Sequence, residues 1–557
     1  MKPSRFAVSL AALACLALET GTPARAAPAG PAPAAPALDV AMQTPQADAP
    51  MPRDPAALAV ENYLSDLLAT APTPGAKARR TAAAAFYAAR GNAPVWVEGG
   101  LYTPRAEALL AVVAASSEEG IDPLQFDLPQ PPRADVPATN WSLAEAEVKL
   151  TLAALTYAER AMTGSVSPAS ISPMITREPA RPDRASLLAR LAASPDAATD
   201  LLSFNPPQEG YRRLKAKLAE VRSRPQTTPP APIPVGETLR PGMRDARVAM
   251  LRDRLGLGTP ATMTDAEVYD GELEAAVRAF QKSEGLAADA IVGPRTLEVL
   301  NGEERGEEAE IIANMEMWRW MPRDLGTDHI FVNVPEFMVR VMRGGQIAHE
   351  ARVVVGTPKN QTPVFSDRMQ YLVVNPYWNV PVSIASKEML EAIRKNPAGY
   401  FARHGYEAVV DGKVVDPSMI WWDESSIRKV RIRQPPGEEN ALGHIKFMFP
   451  NQHAVYLHDT PSRSLFERDF RAYSHGCVRV HEPFAFAEAI LAGEPDVTVD
   501  RLKALIGGKE RRVDLANGLP VHLAYFTAWV DDAGVLQMRK DLYGHTDKVK
   551  AALGLSG

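Results

Sequence analysis

Between Ala56 and about Arg224, apolar residues recur at helical spacing, as in the runs Ala106 to Ala115, Glu145 to Tyr157 and Tyr211 to Val221. This period predicts a helical domain over 56–224. Pro225 to Pro234 holds five prolines and reads as a linker, extended here to 225–237. From Thr238 to Asn301, Val248, Leu251 and Leu255 form one helical stripe, Leu273, Val277 and Phe280 a second, and Leu297 and Leu300 a third, with turns at Gly285, Gly293 and Pro294. The pattern predicts a small three-helix module over 238–301.

After a connecting segment (302–327) the period changes from helical to alternating. His329 to Val334, Phe337 to Met342, Ala351 to Val355, Tyr371 to Asn375 and Ala454 to His458 are rich in β-branched and aromatic residues and are separated by Gly, Pro and Asn turns, which predicts a mostly β domain over 328–510. Within it Ser386 to Phe401 is helix-like, and 382–434 reads as an insertion between strands, of the kind that forms lids. A C-terminal segment, 511–557, completes the chain. The fold class expected is multidomain α+β.

At the N-terminus, Lys2 and Arg5, the apolar stretch Phe6 to Leu18 and Ala24-Arg25-Ala26 read as a secretory signal over 1–26. A Pro/Ala-rich stretch, 27–55, cannot bury enough apolar surface to fold and reads as a tether. Cys15 lies inside the apolar stretch, and cleavage after Ala26 is preferred to lipid anchoring through that cysteine. No later stretch reaches the length of a membrane span, so an exported, periplasmic, soluble protein is expected. With 61 Lys+Arg against 67 Asp+Glu, a formal net charge of -6, the chain gives no argument for nucleic acid or an anionic membrane as partner.

Once the signal is removed one cysteine remains, Cys477, in Ser474-His475-Gly476-Cys477-Val478-Arg479. A lone cysteine is ordinarily a small buried hydrophobe. A histidine, a glycine and an arginine beside it instead supply a base, backbone room and positive charge, as a thiolate nucleophile needs. Strand alternation sends Tyr456 and His458 to one face, and the loop after Asp459 can bring Cys477 across it. Gly476 leaves its backbone free to approach a substrate carbonyl and donate an N–H to an oxyanion. Arg479 favours thiolate or binds a carboxylate. A metal site built from His453, His458, Asp459, His475, Cys477 and His481 is the rival reading, weakened by the lack of a Cys-x-x-Cys or a helical His-Glu-x-x-His.

Two resemblances sharpen this. Gly242 to Leu255, Ala276 to Leu286 and Val292 to Leu297 resemble the peptidoglycan-binding domain of the first type. The Ser-His-Gly-Cys-x-Arg segment with an upstream histidine resembles the YkuD-type L,D-transpeptidase catalytic domain. Met315-Glu-Met-Trp-Arg-Trp-Met-Pro, Val354-Val-Gly-Thr-Pro, Asn375-Pro-Tyr-Trp-Asn-Val-Pro, Leu442-Gly-His-Ile-Lys-Phe-Met-Phe-Pro-Asn and Tyr456-Leu-His-Asp-Thr-Pro extend the likeness to the large murein L,D-transpeptidases, which also have a helical scaffold domain. One departure is Asp459, where many relatives have glycine or serine.

The resemblance implies Cys477 as nucleophile, His458 as general base, Tyr456 and the backbone around Gly476 near the oxyanion, and His475 as an orienting residue. It implies peptidoglycan stem peptides as donor and acceptor, cell-wall synthesis proteins as partners, a thioester intermediate and no cofactor. The rivals are a cysteine hydrolase of the same stems and a non-catalytic wall-binding protein.

Overall fold

The computed structural model describes residues 54–130, 138–224, 231–258, 266–283, 286–301 and 306–555. The expected signal, Cys15, the tether as far as residue 53 and residues 225–230 of the linker lie outside the described residues, as does the turn glycine Gly285.

The helical region begins with α1 (Pro55–Ala69), α2 (Pro74–Ala89), α3 (Pro104–Ala114) and α4 (Asn140–Thr163). The first three each carry Pro in the first turn, behind a capping Asp54, Thr73 or Thr103 that accepts an otherwise unpaired N–H. Helix α4 is the axis of this core, with Val148, Leu150, Leu155 and Ala158 fully buried. Its one buried acid, Glu147, accepts from Tyr87 Oη at 2.6 Å and from the N–H groups of Val95, Trp96 and Val97, as a buried carboxylate must.

After α5 (Glu209–Ser223), a small module follows: α6 (Arg247–Arg254), α7 (Gly271–Ser283) and α8 (Pro294–Leu300). Val248, Leu251, Leu273, Val277, Leu297 and Leu300 form its own core, the stripes read from the sequence.

Helix α9 (Glu307–Arg319) lies in the segment that reads as a connector, yet Glu310 to Arg319 are all buried. A helix covered all round belongs to an interior. Tyr211, Leu214 and Leu218 of α5 pack with Ile311, Met315 and Trp318 of α9 and with the main sheet in one continuous core. The charges on α9 are paired: Glu316 accepts from Val166 N–H at 2.7 Å, and Arg319 bonds Glu316 at 3.1 Å and Tyr211 Oη at 2.9 Å. Acidic residues fill the first turn of α9, where the helix dipole favours them.

The β domain is an eleven-stranded sheet of β1 (His329–Asn333), β2 (Met338–Arg343), β3 (Gln346–Gly356), β4 (Phe365–Arg368), β5 (Tyr371–Val374), β10 (Ile445–Met448), β11 (Leu457–His458), β12 (Ala472–Ser474), β13 (Val478–Val480), β14 (Arg511–Asp514) and β15 (Pro520–Ala524). Between β5 and β10 the chain leaves this sheet. It builds a four-stranded one from β6 (Trp378–Asn379), β7 (Glu407–Val410), β8 (Lys413–Val415) and β9 (Arg431–Gln434). Ala385, Leu390, Ile393, Phe401, Trp422 and Ile432 form a separate core there.

Two local expectations are corrected. The helix-like stretch Ser386 to Phe401 is broken: a π-helical turn, Ala385–Met389, precedes Leu390–Lys395, and Asn396 ends that helix while capping Pro397–His404. The expected strand Ala454 to His458 shortens to Leu457–His458, because Ala454 adopts φ +52°, which no strand accommodates.

Candidate active site

Strand register assembles the site. Lys446 on β10 lies opposite His458 on β11, in an antiparallel pair, and His458 lies opposite Arg479 on β13, in a parallel one. Paired residues face the same side of a sheet, so Lys446, His458 and Arg479 form one row. The parallel pairing Leu457↔Val478, extended back one residue, sets Tyr456 beside Cys477 on that face, and the Val478 N–H donates to Tyr456 O at 3.1 Å. The opposite face carries Ile445, Phe447, Leu457, Val478 and Val480, all fully buried. Alternation thus sends chemistry to one side and core to the other.

Cys477 is partly buried and free. Burial pushes its thiol pKa up, while hydrogen bonds from the Tyr456 N–H and hydroxyl, and then the charges of Lys446 and Arg479, pull it down; the net direction is upward. Burial also raises the Tyr456 hydroxyl. The Lys446 Nζ lies over the Tyr456 ring, 4.2 Å from its centroid, and the Tyr456 and His458 rings meet edge-on at 5.6 Å.

His458 is 4% exposed. Its Nδ1 lies 2.5 Å from the Asp459 carbonyl, which can only accept, so Nδ1 carries the proton and Nε2 keeps its lone pair. Burial first, and then the Arg479 charge, lower its pKa to about 3. The imidazole is neutral through the physiological range. Cys477 and His458 are diagonal neighbours on the face, a spacing of roughly 7–8 Å between backbones that side chains can bridge. No hydrogen bond joins sulphur to imidazole here; the thiol's hydrogen bonds come from Tyr456.

Asp459 is structural. Its carboxylate accepts from His444 N–H at 2.9 Å and from Thr460 N–H at 2.7 Å. Gly443, with φ +59°, presses its Cα against that carboxylate so closely that a Cβ would lie 2.3 Å from Cγ. The carbonyl that orients His458 is thereby fixed.

The loop around the thiol departs from expectation in one respect. Gly476 has φ +114°, and a Cβ there would stand 3.3 Å from Gln361 O, so glycine is required. Its N–H, however, donates to Ser474 Oγ at 3.1 Å, and Ser474 Oγ in turn donates to Cys477 O. The Gly476 carbonyl accepts from Thr362 Oγ1 at 2.8 Å. Gly476 shapes the turn instead of offering a donor. The Cys477 N–H has no acceptor among the described residues and is the donor available to an oxyanion.

His475 is exposed and points away from this row, its Nε2 2.8 Å from Glu388 Oε1 in the π-helical turn of the inserted subdomain. Arg479 keeps its Nε buried without a partner, and burial lowers its pKa against the pull of Cys477. The residue that sequence reading missed is Lys446. Its signal was present in the alternation Ile445-Lys446-Phe447, but linking it to Cys477 needs the pairing of β10 with β11.

The residues of the rival metal reading do not converge. His453 bonds Thr176 Oγ1 at 2.9 Å, His481 packs on Phe466 and His475 bonds Glu388. No group of three or more His, Cys, Asp or Glu among the described residues is arranged to hold a metal ion.

Comparison with known proteins accords with this geometry. Residues 81–218 match the family model of a scaffold domain, 250–300 that of a "Putative peptidoglycan binding domain", and 327–499 that of the L,D-transpeptidase catalytic domain. A curated relative from Haemophilus influenzae, named "Putative L,D-transpeptidase", is 36% identical over 226 residues, 40% of this chain and 45% of the relative. The match therefore spans less than half the relative's length. Among solved structures, an L,D-transpeptidase from Xylanimonas cellulosilytica is 15% identical, covers 52% of this chain and 98% of its own, and superposes with a TM-score of 0.15. The Ldtfm-avibactam carbamoyl enzyme is 14% identical over 36% of this chain and 49% of its own, also with a TM-score of 0.15. Among the described residues no helix is long and apolar enough to cross a membrane. Residues 327–499 thus form an L,D-transpeptidase catalytic domain of the YkuD type, in a chain that also carries matches to a scaffold domain and a peptidoglycan-binding domain.

Proposed function

We propose that the protein is an exported, periplasmic enzyme that cross-links third-position residues of peptidoglycan stem peptides through a thioester on Cys477. The observation that carries this reading is the single sheet face shared by Cys477, Tyr456 and His458. In the resting site both partners are uncharged: the thiol because burial raises its pKa, the imidazole because burial lowers its own. Proton transfer to Nε2 then accompanies attack of sulphur on the carbonyl of the third residue, whose stereocentre is L. The oxyanion takes the Cys477 N–H and the Tyr456 hydroxyl. The C–N bond breaks, His458 returns the proton to the leaving amine, and the terminal D-alanine departs. The side-chain amine of a second stem attacks the thioester, loses its proton to His458, and releases Cys477 as thiol.

Amine must outcompete water in the second step. The inserted subdomain, over about 382–434, meets the catalytic loop through Glu388 and His475 and acts in this reading as a lid that keeps water from the thioester. The module over 250–300 holds the enzyme on the wall. Mass spectrometry of peptidoglycan digested after incubation with the protein tests the proposal. Cross-linked dimers joined through two third positions are expected; shortened stems without dimers mean a hydrolase, and an effect on the wall that survives Cys477→Ala means a binding protein.

A further inference from the structure

The row Lys446, His458, Arg479 places two cations on the catalytic face with a neutral imidazole between them. Neither cation has an ion pair among the described residues. The acid that acts on Lys446 is Glu510, whose carboxylate is bonded to Tyr377 N–H at 2.8 Å. Arg479 keeps a buried Nε without any partner. Lys446 and Arg479 are half-buried, and charges drawn out of water are ordinarily paired, so this face is built to receive an anion.

The thiolate does not fill that role for long. Sulphur is protonated in the resting site and acylated in the intermediate, and is uncharged in both. An anion present throughout donor binding must come from the donor itself. In a stem peptide cut before its last residue, the terminal carboxylate sits one residue beyond the attacked carbonyl, about 3.8 Å of chain. The Lys446 Nζ, 4.2 Å from the centroid of the Tyr456 ring, and Arg479, paired with His458 and two residues beyond Cys477, flank that position on the same face.

We infer that Lys446, held over the Tyr456 ring and in register with His458, is a specificity residue: together with Arg479 it binds the free terminal carboxylate of the donor peptide. It rests on the reading of Cys477 as acceptor of a stem-peptide acyl group, but its test does not need turnover. The full chain bearing Cys477→Ala is titrated calorimetrically with a tetrapeptide donor ending in D-alanine, and with the same peptide as its C-terminal carboxamide. The acid is expected to bind about tenfold to a hundredfold more tightly, the size of one charge-assisted hydrogen bond or ion pair.

Adding Lys446→Gln should bring the two affinities to within about threefold, while Lys446→Arg keeps most of the preference. Thermal unfolding of each variant verifies that it is folded. A preference unchanged by Lys446→Gln, or no preference in the Cys477→Ala chain, overturns the inference. If Lys446→Gln keeps the preference but raises the pH at which iodoacetamide alkylates Cys477 in the otherwise native chain, Lys446 serves the sulphur and the inference is also overturned. A preference that depends on Lys446 in a protein that forms no cross-links would uphold the inference and reject the transpeptidase reading.

Discussion

Replacing Asp459 by alanine should disable His458, the base of the proposed mechanism, without touching Cys477. The Asp459 carboxylate is 2% exposed and accepts two backbone N–H groups, from His444 and Thr460. Bonds to a charged acceptor contribute about 1.5–3 kcal/mol each, and leaving their donors buried forfeits that contribution. The gross loss is about 3–6 kcal/mol, offset because the carboxylate's own desolvation disappears with it, which leaves about 2–4 kcal/mol. Much of this falls on the turn carrying the Asp459 carbonyl, on which the His458 ring depends. A displacement of about 1 Å at a reacting group costs about a hundredfold in rate. The expected result is kcat/KM for a tetrapeptide donor lower by about that factor, a lowered urea midpoint, and iodoacetamide reactivity of Cys477 near the native value, because Tyr456, Lys446 and Arg479 stay in place. Asp459→Asn, which keeps one acceptor oxygen, should fall between. A folded Asp459→Ala protein with native kcat/KM would refute the argument.

Alkylation of Cys477 by iodoacetamide should rise with pH through a midpoint above the ordinary cysteine value of about 8.5, since its thiol is shifted upward; an inflection near pH 6, the mark of a thiolate-imidazolium pair, would contradict the neutral resting state. The His458 imidazole, with a pKa of about 3, should remain a competent base as pH falls through 6.5, so an acid limb of kcat/KM centred at the ordinary histidine value would count against it. Glu388→Gln should change the ratio of transfer to hydrolysis by no more than about fivefold, because an exposed side-chain contact such as that to His475 contributes about 1 kcal/mol or less; a tenfold change would mean that this contact alone holds the lid. Gly476→Ala should lower turnover far more than thermal stability, the strain at φ +114° being confined to the loop; full activity would contradict the turn geometry.

Much of the fold was legible because its signals are local. The stripe Val248, Leu251, Leu273 and Val277 fixes the small module, and alternation in the strands places Tyr456 and His458 together. What escaped depends on partners distant in sequence. Helix α9 reads as a connector since nothing local tells a helix buried on all sides from a polar one carrying Glu310, Glu316 and Arg319, whose partners Lys550, Val166 and Tyr211 lie elsewhere in the chain. Lys446 joins the site through strand pairing alone. The capture of the Gly476 N–H by Ser474 is a contact two residues away, yet it depends on a backbone turn that residue types do not specify. Tyr456 and His458 kept their shared face although the strand shortened, since the bend at Ala454 precedes both.

The central claim is that Cys477 carries the acyl group. Intact-mass spectrometry after rapid acid quench of the full chain with a tetrapeptide donor should show one adduct with the mass of the acyl tripeptide, mapping to the peptide that holds Cys477, absent from Cys477→Ala and slow to form in His458→Gln. The same adduct on Cys477→Ala, or on any other residue of the native chain, would contradict the account.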